Sequence, residues 1–296
     1  MLGNRGFGIV GGGLIATGVL LSAAVVHADG YKAAPRAQAP FSWTGLYGGL
    51  NAGYGWNDNS VRWDGGNTAG DFVLNSAFVG GSSILALLEP NSHSQSIDAS
   101  GGFVGGQLGY NLQFARHWVA GLEVDIQSGF NGERSNSASV IIAQEPNTFT
   151  AVSDWKLKYF GTVRGRLGFL ISPHLLVFGT GGLAYGETRS KANIAFAAPT
   201  STSITLTSPD STITCVNNAI CLAGSETETS VGWTVGGGVE WAVSKNTMLK
   251  FEYLHVDLGD ESVRLVAQAP STGTAFVTTR FDHTFDILRA GFNVKF

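Results

Sequence analysis

The last segment of the chain, residues 280–296, alternates strictly between apolar and polar positions. One face carries Leu288, Ala290, Phe292, Val294 and Phe296, and the residues between them are charged, polar or glycine. This alternation predicts a β-strand with one apolar and one polar face. The chain ends on an aromatic residue of the apolar face, which suits a strand that closes a barrel in lipid.

Seven further segments have the length that a tilted strand needs to cross a bilayer. With the last one, the eight candidate strands are 43–56, 101–114, 117–130, 155–171, 175–187, 229–243, 247–258 and 280–296. Short turns alternate with four long polar connections, 57–100, 131–154, 188–228 and 259–279. This pattern predicts an all-β fold: an eight-stranded antiparallel up-and-down transmembrane β-barrel with short periplasmic turns and four long extracellular loops.

The tryptophans indicate which face of the strands meets lipid. A soluble barrel of the lipocalin kind has its apolar face inside, whereas a membrane barrel has it outside. Three tryptophans fall at short-turn ends of strands and three at long-loop ends: Trp43, Trp118 and Trp241, and then Trp56, Trp155 and Trp233. Two aromatic girdles around an apolar band are typical of a membrane barrel.

The opposite face is then the lumen, and it carries charges of both signs. The predicted lumen network is Glu123, Asp125, Lys156, Lys158, Arg164, Arg166, Glu240, Lys250, Glu252 and Arg289. An eight-stranded barrel is just wide enough for side chains to fill it, so these charges should pair and form a plug. The alternative is a selectivity ring in a small channel.

The N-terminus predicts export. Arg5, an apolar stretch over 9–26 and small residues before Asp29 form a secretory signal peptide, residues 1–28, cut after Ala28. An uncleaved membrane anchor is the alternative. Residues 29–42 are expected to be a periplasmic linker and 43–296 the barrel, which places the protein in the bacterial outer membrane.

Net charge and cysteine content limit the kinds of ligand that the protein is expected to bind. The net charge of −4 gives no basic footprint for nucleic acid. Cys215 and Cys221 make a poor metal site without histidine nearby, and in an exported protein they predict a disulfide that closes a small loop. The sequence predicts no metal site and no cofactor.

Motifs for catalysis are weak. The stretch 179–184 fits the dinucleotide pattern GxGxxA, but a strand and a polar loop surround it instead of the strand–helix unit that the pattern needs. A lipid A enzyme would need a Ser/His/acid set near the rim, and the candidates are His255, Asp257, Glu261, Ser262, His283 and Asp286. We expect a hydrogen-bonded rim cluster there and no enzyme.

The segments 43–47 and 51–56 (WTGLY and NAGYGW), the segment 179–187 and the Phe-terminated last strand resemble the small porin-like outer-membrane β-barrel proteins of alphaproteobacteria. This family is related to the eight-stranded OmpA-type and opacity-type barrels, and the resemblance covers residues 43–296, mainly in the strands. It implies insertion by the barrel-assembly machinery, for which Leu288, Phe292, Val294 and Phe296 are the expected assembly signal.

The predicted function is a structural, surface-exposed barrel with at most weak porin-like permeability. Family members include porins and haemin-linked proteins, so a diffusion porin with a charged lumen and a haemin- or ligand-binding surface protein acting through its extracellular loops are the alternatives. Expected partners are outer-membrane lipids and lipopolysaccharide, and a loop-bound ligand or surface partner stays unspecified.

Overall fold

The computed structural model describes residues 41–78, 92–129, 134–141 and 148–296, and for 134–141 it describes the backbone alone. The predicted signal peptide, 1–28, and residues 29–40 of the predicted linker lie outside the described residues.

The described residues form fourteen strands and one helix. In chain order the elements are β1 (Gly45–Trp56), β2 (Asn59–Gly65), α1 (Thr68–Phe78), β3 (Ser92–Ile97), β4 (Ser100–Gln113), β5 (Trp118–Ser128), β6 (Arg134–Ile141), β7 (Thr148–Ser172), β8 (Leu175–Ala197), β9 (Ser203–Thr207), β10 (Thr212–Val216), β11 (Ala219–Ala242), β12 (Thr247–Ala267), β13 (Thr272–Gly273) and β14 (Phe276–Lys295).

The main sheet is an antiparallel up-and-down barrel. Its strands follow the order β1, β4, β5, β7, β8, β11, β12 and β14, and the pairing of β14 with β1 closes the ring. Tyr47 lies opposite Lys295 and Trp56 opposite Asp286, so the second half of β14 seals against β1, whereas its first half pairs with β2. Closure removes the free edges that an open sheet would leave unpaired.

Alternation along the strands gives the barrel an apolar outside. Leu50, Leu122, Leu183 and Leu288 point outward and are 57–73 % exposed. The predicted assembly-signal residues Leu288, Phe292, Val294 and Phe296 share this outer face, at the end of β14. A continuous apolar band around a barrel has no stable place in water and matches a lipid-facing surface.

Four of the six predicted girdle tryptophans lie on the outer face: Trp56, Trp118, Trp233 and Trp241. The prediction was wrong for Trp43 and Trp155, which are buried. Trp43 lies thirteen positions before Trp56, an odd number, so strict alternation sends the two rings to opposite faces. Trp155 turns inward because a bulge between Leu157 and Tyr159 shifts the register of β7 against β8.

The long connections contain more regular structure than their polar composition predicted. β7, β8, β11, β12 and β14 continue well past the predicted strand ends, and the first connection contains β2, α1 and β3. The lengthened strand ends and the elements of the first connection together form an extension of the barrel. Buried side chains fill this extension, among them Trp63, Phe149, Phe196 and Phe281. Phe78 ends α1.

Contacts between distant connections hold the extension together. Asp210 accepts a hydrogen bond from the backbone nitrogen of Thr68, and Ser211 accepts one from Ala69, so the β9–β10 turn caps the first turn of α1. Hydrogen bonds from Ser208 and from the Thr68 backbone hold the pKa of the Asp210 carboxyl below its usual range. Cys215, near the end of β10, and Cys221, near the start of β11, form the predicted disulfide.

α1 is the only helix of the described residues, and at eleven residues it is far short of a membrane span.

Glycines on the inner face let strands approach closely, and Gly238 offers a direct test. A Cβ at Gly238 would lie 2.1 Å from the Phe251 carbonyl oxygen, whereas a Cβ at the outward-facing Gly179 would meet nothing closer than 4.0 Å. We expect Gly238→Ala to lower the free energy of unfolding by about 1–3 kcal/mol. The measurement is urea unfolding of the refolded protein in detergent micelles.

Gly179→Ala is the matched control, because both substitutions stiffen the unfolded chain equally. It should leave the unfolding midpoint nearly unchanged. Equal effects of the two substitutions would show that the inner-face contact at Gly238 is not tight.

Candidate functional site

The inside of the barrel carries a compact group of charged side chains, here called the interior belt. It consists of Glu123 and Asp125 on β5, Arg164 and Arg166 on β7, Glu240 on β11, Lys250 and Glu252 on β12, and Arg289 on β14. Each belt side chain is at most 2 % exposed. The sequence predicted all eight, and the structure brings them together.

Arg164 and Arg289 bridge the same three carboxylates. Arg164 lies 2.5 Å from Glu123, 2.9 Å from Asp125 and 2.7 Å from Glu252. Arg289 lies 3.4, 2.8 and 2.6 Å from those three groups. The planar guanidinium group presents several donors in a fixed geometry, so each arginine can serve three acceptors at once.

The rest of the belt continues toward the short turns. Lys250 Nζ lies 2.6 Å from Glu123, and Arg166 lies 2.7 Å from Glu240. The Tyr47 hydroxyl donates to Glu123 at 2.6 Å and accepts from Arg166 at 2.8 Å, so it links the two parts. Arg166 also lies over the Phe178 ring, 4.1 Å from its centre, which suits a cation–π contact.

A row of amide side chains extends the belt across the barrel. Asn51 donates to Gln107 at 3.4 Å, Gln107 donates to Asn293 at 2.6 Å, and Asn293 donates to Glu240 at 3.0 Å. These residues come from β1, β4 and β14. Every strand of the ring except β8 therefore contributes a charged or amide group to one connected network.

Apolar layers lie on both sides of the belt. The lower apolar layer, at the short-turn end, is Trp43, Tyr47, Val119, Leu170, Leu176, Ala242 and Met248. The upper apolar layer, toward the long connections, includes Phe103, Phe160, Leu254, Phe285 and Ile287. Along β12 the inward residues pass from Met248 through Lys250 and Glu252 to Leu254, which shows the order of the layers directly.

Lys156 and Lys158 do not join the belt, so their predicted place in the lumen was wrong. The bulge in β7 that turns Trp155 inward also turns these lysines outward. Lys158 is exposed and forms a surface ion pair with Glu187 at 2.5 Å. Without a local glycine or proline at the bulge, the sequence gives no sign of this change of face.

The belt's composition explains what it can do. Four cations face four carboxylates, and burial of an ion without a partner costs several kcal/mol. Balanced pairing removes that cost, and the closed packing leaves these groups out of reach of water. The arrangement fits a neutral plug and not a water-filled ring of like charges.

A second polar cluster lies beyond the apolar band, at the long-loop side. His283 Nε2 lies 3.6 Å from Glu261 and 3.4 Å from the Ser190 hydroxyl, and Ser190 donates to Glu261 at 2.8 Å. Serine and carboxylate thus share one ring nitrogen, and His283 Nδ1 has no hydrogen-bond partner among the described residues. A catalytic triad needs its acid on the other nitrogen, so this geometry does not activate the serine.

The remaining rim candidates are apart from this cluster. His255 pairs with Asp286 at 2.8 Å on the outer face. Asp257 accepts a hydrogen bond from Gly259, where β12 changes register and the backbone takes a φ of +80°. Ser262 lies opposite Arg280 in the β12–β14 pair. The described residues contain no group of three or more metal-binding side chains.

Sequence reasoning missed Ser190, Tyr47 and the amide row. Asn51, Gln107 and Asn293 share the parity of charged or inward residues on their strands, so alternation could have found them. Ser190 lies in a segment that looked like a loop, and only the extension of β8 places it beside His283.

The closed antiparallel barrel, with its apolar outside and charged inside, defines an integral β-barrel membrane protein. A family model described as the outer membrane protein β-barrel domain matches residues 19–296. The chain belongs to that family, and its place is the bacterial outer membrane. The predicted family resemblance is thereby confirmed.

Named relatives agree with the family. The 31 kDa outer-membrane immunogenic protein of Brucella melitensis is 33% identical over 259 residues, which cover 86% of this chain and 85% of the relative. The 22 kDa outer membrane protein of Rhizobium leguminosarum is 29% identical over 171 residues, covering 57% of this chain and 59% of the relative. Both are alphaproteobacterial relatives, as the sequence predicted.

Among solved structures, the outer membrane protein OprG of Pseudomonas aeruginosa aligns with 87% of this chain and 98% of its own length. The sequence identity is 13% and the TM-score is 0.45. At these values the likeness says nothing about function.

Burial of His283 makes stability depend on pH. Burial lowers the pKa of His283 to about 4, below its usual value of about 6.5. Between these values the unfolded chain binds a proton that the folded protein does not, so the free energy of unfolding falls as the pH decreases. We expect wild type to lose about 2 kcal/mol more than His283→Gln between pH 7 and about pH 4.5.

The measurement is urea unfolding of both proteins at the two pH values. Burial also raises the pKa of Glu261, but that carboxyl is present in both proteins, so the comparison isolates the histidine. An equal acid-dependent loss in wild type and His283→Gln would contradict the account.

Proposed function

We propose that this protein is a non-catalytic, eight-stranded transmembrane barrel with a structural and surface role, closed to solutes. Short turns face the periplasm, and the long connections form the part exposed at the cell surface. The observation that supports this proposal is the position of the neutral interior belt between the upper and lower apolar layers. A diffusion pore would need a continuous wet path through the same space.

The extension on the long-connection side supports a surface role. Capping of α1 by the β9–β10 turn and the Cys215–Cys221 disulfide give it a defined shape. A folded extramembrane part offers a stable surface to the environment, whereas irregular loops would not. The name of the Brucella relative describes an immunogenic outer-membrane protein, which agrees with a part exposed at the cell surface.

Planar-bilayer conductance tests closure. We expect wild type to insert without reproducible unit steps of current, because the belt and both apolar layers fill the barrel. A diffusion porin inserted under the same conditions serves as the positive control, and slower gel migration after boiling verifies that the sample was folded. Unit steps in wild type would contradict closure.

The variant Arg164→Ala/Glu252→Ala makes the test sharper. It removes one balanced pair from the belt but leaves both apolar layers in place. We therefore expect this variant to show no unit steps of current. If wild type did show unit steps, and if this variant changed their size or their ion selectivity, solutes would be passing through the belt. The protein would then be a porin.

A further inference from the structure

A small second sheet lies within the long connections. Its strand order is β13, β10 and β9, so β10 has a partner on each edge. Within the described part of the chain, β9 pairs only with β10, and its other edge is free. The side chains of Ser203, Thr205 and Thr207 are exposed, whereas Ile204 and Leu206 pack against the core of the extension. β9 is therefore an edge strand that has one face seated on the protein.

The hydrogen bonds at the two ends of β9 show which of its backbone groups face the free edge. Ser208 N donates to Ser211 O at 2.8 Å, and at the other end Asn217 N donates to Thr202 O at 2.9 Å. These two bonds continue the register of the β9–β10 pairs. Because hydrogen-bonded pairs alternate with non-hydrogen-bonded pairs in an antiparallel ladder, the even-numbered residues of β9 bond to β10. The backbone N–H and C=O groups of its odd-numbered residues point toward the free edge.

The free edge of β9 lacks the features that keep other strands away. Proteins protect such edges with charged side chains, prolines, bulges or a covering element. Residues 200–208 contain no charged residue, no proline and no glycine, and β9 pairs with β10 without a bulge. Ile204, Thr205 and Thr207 are β-branched and favour the extended backbone. This edge is therefore suited to pairing with a further strand.

Neighbouring contacts fix β9 in position before a partner binds. Thr205 Oγ1 lies 3.0 Å from Thr214 Oγ1 on β10, and the β9–β10 turn caps α1 through Asp210 and Ser211. The Cys215–Cys221 disulfide links β10 to β11. A strand that is already ordered loses little conformational freedom on pairing, so more of the contact energy remains as affinity.

The sequence of β9 is complementary to itself. In an antiparallel pair of two β9 strands centred on Thr205, Ile204 of one copy faces Leu206 of the other. Ser203 then faces Thr207, and Thr205 faces its counterpart, so polar residues meet polar residues and no charges oppose each other. Each facing pair of odd-numbered residues can exchange two backbone hydrogen bonds, because their N–H and C=O groups already point outward. A second copy of this chain therefore fits the free edge in sequence and in hydrogen-bonding pattern.

We propose that β9 joins two copies of this chain by antiparallel strand pairing centred on Thr205. The pairing turns two three-stranded sheets into one continuous sheet and relates the copies by two-fold symmetry, the commonest symmetry of homo-oligomers. Contact between two five-residue strands is small, so the association needs the high local concentration of a membrane. It goes beyond the closed surface barrel proposed above, and neither proposal depends on the other.

Energy transfer between donor-labelled and acceptor-labelled copies in lipid vesicles tests the proposal. Thr205→Lys and Thr205→Glu each place two like charges opposite each other at the two-fold axis. Each variant alone should therefore associate at least about fivefold more weakly than wild type. A mixture of the two variants should restore association, because lysine then faces glutamate. A large excess of lipid keeps energy transfer between unpaired copies low.

Ser225→Lys and Ser225→Glu are the matched controls. They make the same charge changes at an exposed residue of β11, which the proposed pairing does not use. Each should associate within about twofold of wild type, as expected for an isolated surface substitution. Slower gel migration after boiling verifies that every variant is folded.

Cross-linking tests the register of the pair. In the proposed pair the two Cα atoms at position 205 lie about 5.5 Å apart. The two at position 207 are offset by four residues along the strands, which is about 14 Å. A short bifunctional thiol reagent should therefore join copies of Thr205→Cys into dimers and leave copies of Thr207→Cys monomeric. Both native cysteines are already in a disulfide, so the introduced thiol is the one that reacts.

Unchanged association of both Thr205 charge variants, or equal cross-linking at positions 205 and 207, would overturn the proposal. Weak association of each variant that the mixture does not restore would also overturn it, because the edge would then not pair with a second copy. None of these results bears on barrel closure, which conductance measures separately. A conducting wild type that still pairs through Thr205 would refute closure and support the strand pairing.

Discussion

Charges inside a narrow barrel must be balanced, and much of this structure follows from that constraint. Arg164 and Arg289 share Glu123, Asp125 and Glu252, so the loss of one member leaves several others unpaired. Such a network gives the barrel interior one preferred arrangement, because few other pairings satisfy every group. The residues that fill the barrel interior are thus the same residues that fix how its strands face each other.

The same alternation that creates the belt creates the membrane surface. Each strand that places a charge inside places an aliphatic or aromatic side chain outside, so the two faces are specified together. The bulge in β7 then ends this arrangement at the outer boundary: it sends Trp155 and Leu157 inward and the lysines outward. A one-residue change of register thereby completes the upper apolar layer and turns Lys156 and Lys158 to the outer face.

Most of the barrel could be predicted from the sequence because a period of two is a strong signal. The strand order, the short turns, the seam between β14 and β1 and all eight belt residues follow from it. Arg289, one of these predicted residues, contacts Glu252 and Glu123. Alternation alone cannot predict where a bulge interrupts it. The sequence therefore placed Trp155, Lys156 and Lys158 on the wrong faces.

The pattern of apolar and polar positions also did not predict the extension. Its strands are rich in Ser, Thr, Asn and Ala, and in isolation such segments resemble loops. They become strands because they continue the hydrogen-bonded ladders of the barrel below and bury Trp63, Phe149 and Phe196 together. The capping of α1 by Asp210 and Ser211 joins residues about 140 positions apart, and no local sequence motif predicts it.

The central claim, that the belt is a coupled neutral unit, is tested most directly by a double-mutant cycle on Arg166 and Glu240, which lie 2.7 Å apart. Urea unfolding should show that Arg166→Met and Glu240→Met each cost about 3–5 kcal/mol, and that the double variant costs less than their sum by about 2–3 kcal/mol. The exposed pair Lys158 and Glu187 should couple by less than about 1 kcal/mol. Strictly additive losses at Arg166 and Glu240 would contradict the account.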